Sequence, residues 1–330
     1  MLRSGDTDQA DIFAEDRQTI IDTLDDILKE EYGKDSMIAK MISPYFGNRG
    51  KKLRPLLSIY VYRLIKGDDA PLDRLLPILA SIEIAHNASL IVDDIFDRDE
   101  MRRGDLAFFV KHGTFAALSI AYNLSAFVFD LATRTKHAEV VRTVGRAASM
   151  LSSALFLSKD LKSSRVISEE FFMEILRRKT SSLFMSAAKC AVLLATDDPA
   201  MIDRMTQFGD DFGTAYQLRD DVLAIEGTFE DLGKEPDSDI TNRFQSLITI
   251  EAMRRSTPDD QRILREYYLE DKDYDPELIR QILIRSGGTR ATKDRCLWYK
   301  QRCLDVLADF PDSLTKKKLL ALLDIISFRD

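Results

Sequence analysis

Apolar residues along this chain recur at intervals of three and four far more often than at every second position. That spacing predicts helices almost throughout. Residues 8–32 read as an amphipathic helix, with Ile12, Phe13, Ile20, Ile21, Leu24 and Leu28 on one face. A short helix follows at 36–42, then a basic loop from Gly47 to Pro55, then a helix over 55–66 that stops at Gly67. From Pro71 a long helical run passes through Ala85 into an acidic stretch and ends at Gly104. Further helices are predicted over 113–129, 137–160, 167–195 and 199–226. Ser168, followed by Glu170 and Phe171, marks the start of the third, and Pro199 lies in the first turn of the fourth. Gly227 to Asp239 is the only long loop, rich in turn formers and charge. Helices resume over 240–256, 258–270, 275–286, 289–309 and 312–327. No repeat, low-complexity tract or linker interrupts them, so residues 1–330 are expected to form one all-α domain.

The stretch from Gly113 to Phe129 carries no charge and approaches spanning length. Thr114, Tyr122, Asn123 and several serines would be costly in lipid. The stretch is therefore expected to be a core or subunit-interface helix, with no transmembrane segment. Hydrophobic residues make up 45% of the chain, enough for a large core, and its 14 Gly and 9 Pro are too few for a turn-rich fold. A net charge of −8 argues against nucleic acid as the main partner. Cys190, Cys296 and Cys303 have no metal-type spacing and are odd in number, which suits buried, reduced thiols in a cytoplasmic protein. The N-terminus has acids and no apolar core, so no signal peptide is expected.

The chemistry concentrates between Glu83 and Gly104. Asp93, Asp94 and Asp97 are spaced i, i+1 and i+4, within one sector of a helix. Three close carboxylates repel one another unless something positive joins them, and hard oxygen donors suit Mg²⁺. Arg102 and Arg103 follow at once, with donors shaped for phosphate. Asp220 and Asp221 repeat the adjacent-acid pattern in a second apolar helix. Acidic helix faces are common and usually solvated, but these acids are embedded in apolar sequence, where carboxylates are seldom left unpaired. Placed on facing helices, the two sets can hold metal between them. Carboxylates for metal and arginines for phosphate point to a diphosphate site.

Five motifs occur in order: GKKLRP (Gly50–Pro55), IEIAHNASLIVDDIFDRDEMRRG (Ile82–Gly104), KT (Lys179–Thr180), YQLRDD (Tyr216–Asp221) and GK (Gly233–Lys234). With this set the chain resembles the trans-isoprenyl diphosphate synthases of the polyprenyl synthetase family, from about Gly47 to Leu247. The resemblance implies a single-domain isoprenoid synthase helical bundle around a central apolar cavity, working as a homodimer. It implies Mg²⁺, three ions per site, held by Asp93, Asp94, Asp97, Asp220 and Asp221. It places Arg102, Lys179, Thr180, Gln217 and Lys234 on the diphosphate of an allylic substrate. Lys51, Arg54, His86 and Arg103 would bind isopentenyl diphosphate. Asp93, Asp94, Lys179 and Asp220 would carry catalysis: ionisation of the allylic C–O bond, attack by the isopentenyl double bond, then loss of a proton to the released diphosphate. Taken singly, Lys51, Arg54 and Lys179 read as surface cations, His86 as a satisfied core histidine, Lys234 as a loop charge and Gln217 as part of a buried network.

The chain departs from the family pattern at three places. Ala224 stands where a third acid usually closes the second motif. Phe244 stands where a lysine is common, with Arg243 beside it as a substitute. Phe156–Leu157 replaces a Gly-Gln pair before Asp160–Leu161. For product length, Ala88 and Ser89 lie one turn before Asp93 and are small, so the wall there is expected to be open. Phe115, Tyr122 or Phe127 on the uncharged helix would then form a deeper floor, and a twenty-carbon geranylgeranyl product is expected. Farnesyl or longer products, or a non-catalytic subunit of a heteromeric synthase, are the alternatives. A class I terpene cyclase would share the first acidic helix but not GKKLRP or Arg103.

Overall fold

The computed structural model describes residues 11–47, 50–162, 165–227 and 238–328. Helices α1 (Ala14–Tyr32), α2 (Met37–Phe46), α3 (Leu53–Lys66) and α4 (Leu76–Asp97) open the chain. A two-residue antiparallel pair follows, β1 (Met101–Arg102) and β2 (Asp105–Leu106), before α5 (Phe108–His112), α6 (Thr114–Arg134) and α7 (Ala138–Ser158). Next come α8 (Glu169–Leu176), a π-helical turn at Arg177–Ser181, α9 (Ser182–Ala195) and α10 (Pro199–Glu226). After a single turn at Ser238–Thr241 the chain closes with α11 (Leu247–Arg255), α12 (Pro258–Leu269), α13 (Pro276–Arg285), α14 (Gly288–Ala308) and α15 (Leu314–Asp324). The all-α expectation holds, apart from the tiny β1–β2 pair.

Local chemistry explains most boundaries. Ser36 and Ser168 accept hydrogen bonds from the amides of Ala39 (3.0 Å) and Phe171 (3.2 Å). These caps satisfy N–H groups that the helix itself leaves unpaired. Asp198 and Asp275 do the same ahead of Pro199 and Pro276, which need no amide partner at the first helical position.

Two expectations are corrected. The run toward Gly104 does not stay helical: α4 ends at Asp97, where Arg98 turns left-handed (φ 58°), and the chain reverses through β1 and β2. The reversal carries Arg102 back to Asp94. The stretch 167–195 is not one regular helix, because the wide π turn divides it at Lys179 and Thr180.

Helix α9 is buried on almost every side and sits at the centre, packed on α3, α7 and α10. Gly209 and Gly213 of α10 permit the close approach to α9 and the turn before it: a Cβ at Gly209 would lie 2.7 Å from Ala188 Cβ. A Cβ at Gly213 would lie 2.8 Å from Ser181 Cα and 3.0 Å from Phe184 Cβ. Around α9, helices α3, α4 and α10 form the walls of a cavity, with α6 behind α4 and α14 behind α10. A buried polar cluster ties the layers together. Asp16 of α1 accepts from Tyr60 (2.9 Å) and Arg63 (2.9 Å) of α3, and from Lys318 of α15. All three cysteines are buried and free.

The helices α4, α6 and α7, the last with the turn after it to Lys162, are each long and apolar enough to cross a membrane by length and composition alone. In α4 most of that apolar window, 61%, is buried inside the protein. Helix α6 is two-faced. Leu124, Phe127 and Leu131 pack inward, while Phe115 (86% exposed), Leu118, Tyr122 (82% exposed) and Phe129 form an outer stripe. Phe115 and Tyr122 therefore cannot be the floor of an internal cavity. Phe127 is buried, edge-on to Tyr32.

Candidate active site

A cavity of about 480 Å³ opens between α4, α9 and α10. Its mouth is charged: Arg54, Asp93, Asp97, Asp99, Arg102, Arg103, Lys179, Asp220 and Asp221 line it, with His86, Thr180, Tyr216 and Gln217. Its walls are apolar, made by Leu90, Leu161, Phe172, Ile175, Leu176 and Leu183. The two acidic sets, far apart in sequence, thus face one space, Asp94 excepted: it lines a small side pocket with Arg102 and Arg103.

On α4, Asp93 and Asp94 are nearly inaccessible and each is neutralised by a cation. Lys179 Nζ lies 3.3 Å from Asp93 Oδ1, and Arg102 Nε donates to Asp94 Oδ1 at 2.7 Å. Burial pushes the carboxyls of Asp94, Asp97 and Asp220 above the usual carboxylate range. Arg102 opposes this at Asp94, Lys179 at Asp97, and Arg219, Lys51 and Arg54 at Asp220. Burial and then Asp220 push the Tyr216 phenol up to about 12.

The π turn does for Lys179 and Thr180 what a regular turn would not. It presents the Lys179 ammonium to Asp93, and the Thr180 hydroxyl donates to Gln217 Oε1 at 2.7 Å. Gln217 Nε2 in turn donates to Asp221 Oδ1 at 2.8 Å. Gln217 therefore belongs to a polar chain that fixes Asp221. Such π turns occur most often at functional sites.

On the other side of the mouth, Gly50 (φ 86°) lets the Arg103 guanidinium pass close by, for a Cβ there would meet Arg103 Cζ at 3.1 Å. Arg54 stacks over the Phe184 ring at 4.4 Å, and its Nε is buried with no hydrogen-bond partner among the described residues. Lys51 is exposed at the rim, close enough for its charge to act on Asp220. Burial, then Arg54, Arg103, Lys52 and Arg102, hold the His86 imidazole well below its ordinary value, so it is neutral at pH 7.

Two sequence readings change, and a third lies outside what is described. Ala88 is 3% exposed, packed in the core, and does not line the cavity; Ser89 does, its hydroxyl donating to the His86 carbonyl at 2.8 Å. Arg243 does not substitute for the missing lysine at Phe244. It points away, paired with Asp271 and, at 2.8 Å, with Asp273, while Phe244 lines the cavity. Gly233 and Lys234 lie outside the described residues. The sequence reading also passed over a buried ion pair behind the site, Lys52 Nζ to Glu83 Oε1 at 3.0 Å. Its signal was Glu83 alone among apolar residues two turns into the acidic helix.

Among the described residues, no three carboxylate, thiolate or imidazole groups converge as a ready metal cage. The donor set nevertheless fits a hard cation. All five aspartates offer oxygen, and Mg²⁺ characteristically takes one or two carboxylates and completes its shell with water and phosphate. Lys179 and Arg102 occupy Asp93 and Asp94 in this arrangement.

The polyprenyl synthetase family model matches residues 35–284, most of the chain and every element of the cavity. The chain belongs to the polyprenyl synthetase family. Among its relatives, the geranylgeranyl diphosphate synthase of Methanosarcina mazei is 28% identical over 290 residues, covering 85% of this chain and 86% of that one. The octaprenyl diphosphate synthase of Escherichia coli is 25% identical over 303 residues, covering 91% and 93%. A crystal structure of a Caulobacter crescentus polyprenyl synthase, complexed with calcium and isoprenyl diphosphate, superposes with a TM-score of 0.85 at 25% identity, covering 96% of each chain. Like these polyprenyl synthetases, the chain is a trans-prenyltransferase by family, and its helical bundle is the family's fold.

Proposed function

We propose that this polyprenyl synthetase condenses isopentenyl diphosphate with an allylic diphosphate in the cavity between α4 and α10, and that its product is geranylgeranyl diphosphate. One observation carries the reading: Asp93 and Asp97 of the first set, Asp220 and Asp221 of the second, and four cations, Arg54, Arg102, Arg103 and Lys179, surround one mouth above apolar walls. Asp93, Asp94, Asp97, Asp220 and Asp221 would hold Mg²⁺, which supplies charge neutralisation to the departing diphosphate. Lys179 and Thr180 hold the allylic diphosphate from the π turn, with Gln217 orienting Thr180, and Arg102 joins them when substrate displaces it from Asp94. Arg54, whose Nε has no hydrogen-bond partner among the described residues, binds isopentenyl diphosphate with Lys51 and Arg103. Neutral His86 contributes a hydrogen bond without a further positive charge. Leu90, Phe172, Ile175 and Leu176 exclude water, which would quench an allylic cation. The released diphosphate takes the proton lost from the condensed chain.

Ser89 at the wall supports a product beyond fifteen carbons; the relatives' products run from geranylgeranyl to octaprenyl. The outer stripe on α6 supports pairing with a second copy, since soluble monomers rarely expose so contiguous an apolar face. Three buried thiols support a reducing, cytoplasmic setting. The test is direct. The purified chain is incubated with Mg²⁺, isopentenyl diphosphate and each allylic primer in turn, and product masses are read. A twenty-carbon product is expected, and no elongation with any primer overturns the proposal.

A further inference from the structure

The short segment after α7 carries three cations, Lys159, Lys162 and Arg165, and the exposed Lys162 rests on an aromatic ring of the cavity wall. Lys159 Nζ lies 3.8 Å from the ring centroid of Phe156, a side chain 64% exposed on the outside. Lys162 Nζ instead sits 4.5 Å from the ring centroid of Phe244, which lines the cavity. Its neighbour Leu161 is a wall residue, and the Lys162 charge acts on Asp97.

This placement is built. Gln245 is 1% exposed and clamps the segment by three bonds. Its amide donates to Leu161 O at 3.0 Å, its Nε2 donates to Arg165 O at 3.0 Å, and its Oε1 accepts from the Ile167 amide at 3.2 Å. Phe244 and Gln245, adjacent in sequence, thus present an aromatic platform and a backbone clamp to one segment. A cation over a ring face is attracted by the ring's quadrupole and keeps its own charge undiminished. Lys179 and Arg102, by contrast, face carboxylates, and Arg243 is turned away.

We propose that Lys162 is a substrate-binding cation of the allylic diphosphate site, held over the cavity by the face of Phe244. Charge is then delivered from the segment after α7, while Phe244 contributes a ring at the position where a lysine is common. The inference rests on the prenyltransferase reading above.

The test measures binding of a non-ionising allylic thiolodiphosphate, with Mg²⁺, and separately of isopentenyl diphosphate, by calorimetry on the full chain. Lys162→Ala is expected to weaken the allylic analogue about tenfold, as loss of a charge-assisted hydrogen bond does, and to change isopentenyl diphosphate less than about twofold. Lys159→Ala, which removes the same charge nearby, is expected to change neither by more than about twofold. Adding Phe244→Lys to Lys162→Ala is expected to restore most of the loss, because the charge returns to the same wall. Unchanged allylic binding in Lys162→Ala overturns the inference. So does equal weakening of both ligands, equal weakening by Lys159→Ala, or failure of Phe244→Lys to rescue. Failure of the wild-type chain to bind either diphosphate would instead overturn the prenyltransferase reading itself.

Discussion

The Lys52–Glu83 pair predicts a large and specific cost. Lys52 begins α3 in a left-handed conformation (φ 53°), and its ammonium is enclosed, donating to Glu83 Oε1 at 3.0 Å and to Phe46 O at 3.1 Å. The Glu83 side chain is 4% exposed and otherwise receives the Asn87 side-chain amide at 3.1 Å. Lys52→Met keeps much of the side chain's bulk and leaves the carboxylate buried beside one neutral donor. Breaking a buried pair in this way costs about 3–5 kcal/mol, a large part of the roughly 5–15 kcal/mol that keeps a domain folded. Adding Glu83→Gln removes the stranded charge while an amide still meets Asn87. The double variant is therefore expected to recover to within about 2 kcal/mol of wild type. The assay is equilibrium urea unfolding at pH 7.5 and fixed protein concentration, followed by far-ultraviolet circular dichroism. If Lys52→Met cost less than about 1 kcal/mol, or the double variant were no better than the single, the pair would not be the buried, uncompensated-charge problem argued here.

Other predictions follow from the same geometry. Gly50→Ala places a Cβ against the Arg103 guanidinium at positive φ, so KM for isopentenyl diphosphate should rise about tenfold in steady-state assays while kcat falls less. Ser89→Phe should shorten the product by at least one five-carbon unit, read by mass spectrometry. Ala88→Phe should instead overpack the core and cost about 1–3 kcal/mol in urea unfolding. Ala224→Asp should leave turnover within about an order of magnitude of wild type, since Mg²⁺ commonly keeps waters in place of protein ligands. His86, half-buried at the cavity mouth, has its imidazole pKa lowered on folding, so the unfolded chain binds the extra proton. Its contribution to stability is present above the unfolded pKa of about 6.5 and is lost as pH falls below it. Between pH 7.5 and 5.5, His86→Gln should therefore lose less stability than wild type, and parallel losses would count against the neutral-imidazole reading.

The sequence made the long helices legible because each must bury one stripe, and periodicity reports that stripe directly. It made the two aspartate sets legible for the same reason: charge inside apolar sequence needs a partner. The β1–β2 reversal was hidden because its few residues, from Asp99 to Leu106, are mostly charged and too short to alternate. The π turn was hidden because it differs from an α turn by hydrogen-bond register, which composition does not encode. Lys52 and Lys162 look like ordinary basic loop residues. Only tertiary packing distinguishes the one enclosed by Glu83 from the one laid on Phe244.

A π turn holds one residue more than the α turn it replaces, and it is therefore a place where chain length and helix phase can be separated. In this protein it lies between α8, which contributes apolar wall, and α9, the central helix. Deleting one residue there would allow an unbroken helix to form across both, with better hydrogen bonding than before. The same deletion would leave Phe172, Ile175 and Leu176 near their present phase relative to α9, because the wide turn already absorbs the extra residue, but it would undo the turn from which Lys179 faces Asp93 and Thr180 faces Gln217. The placement of Lys179 and Thr180 is thus coupled to a local defect that stability alone would remove, and a variant selected only for thermal resistance is expected to repair it at the expense of the reaction.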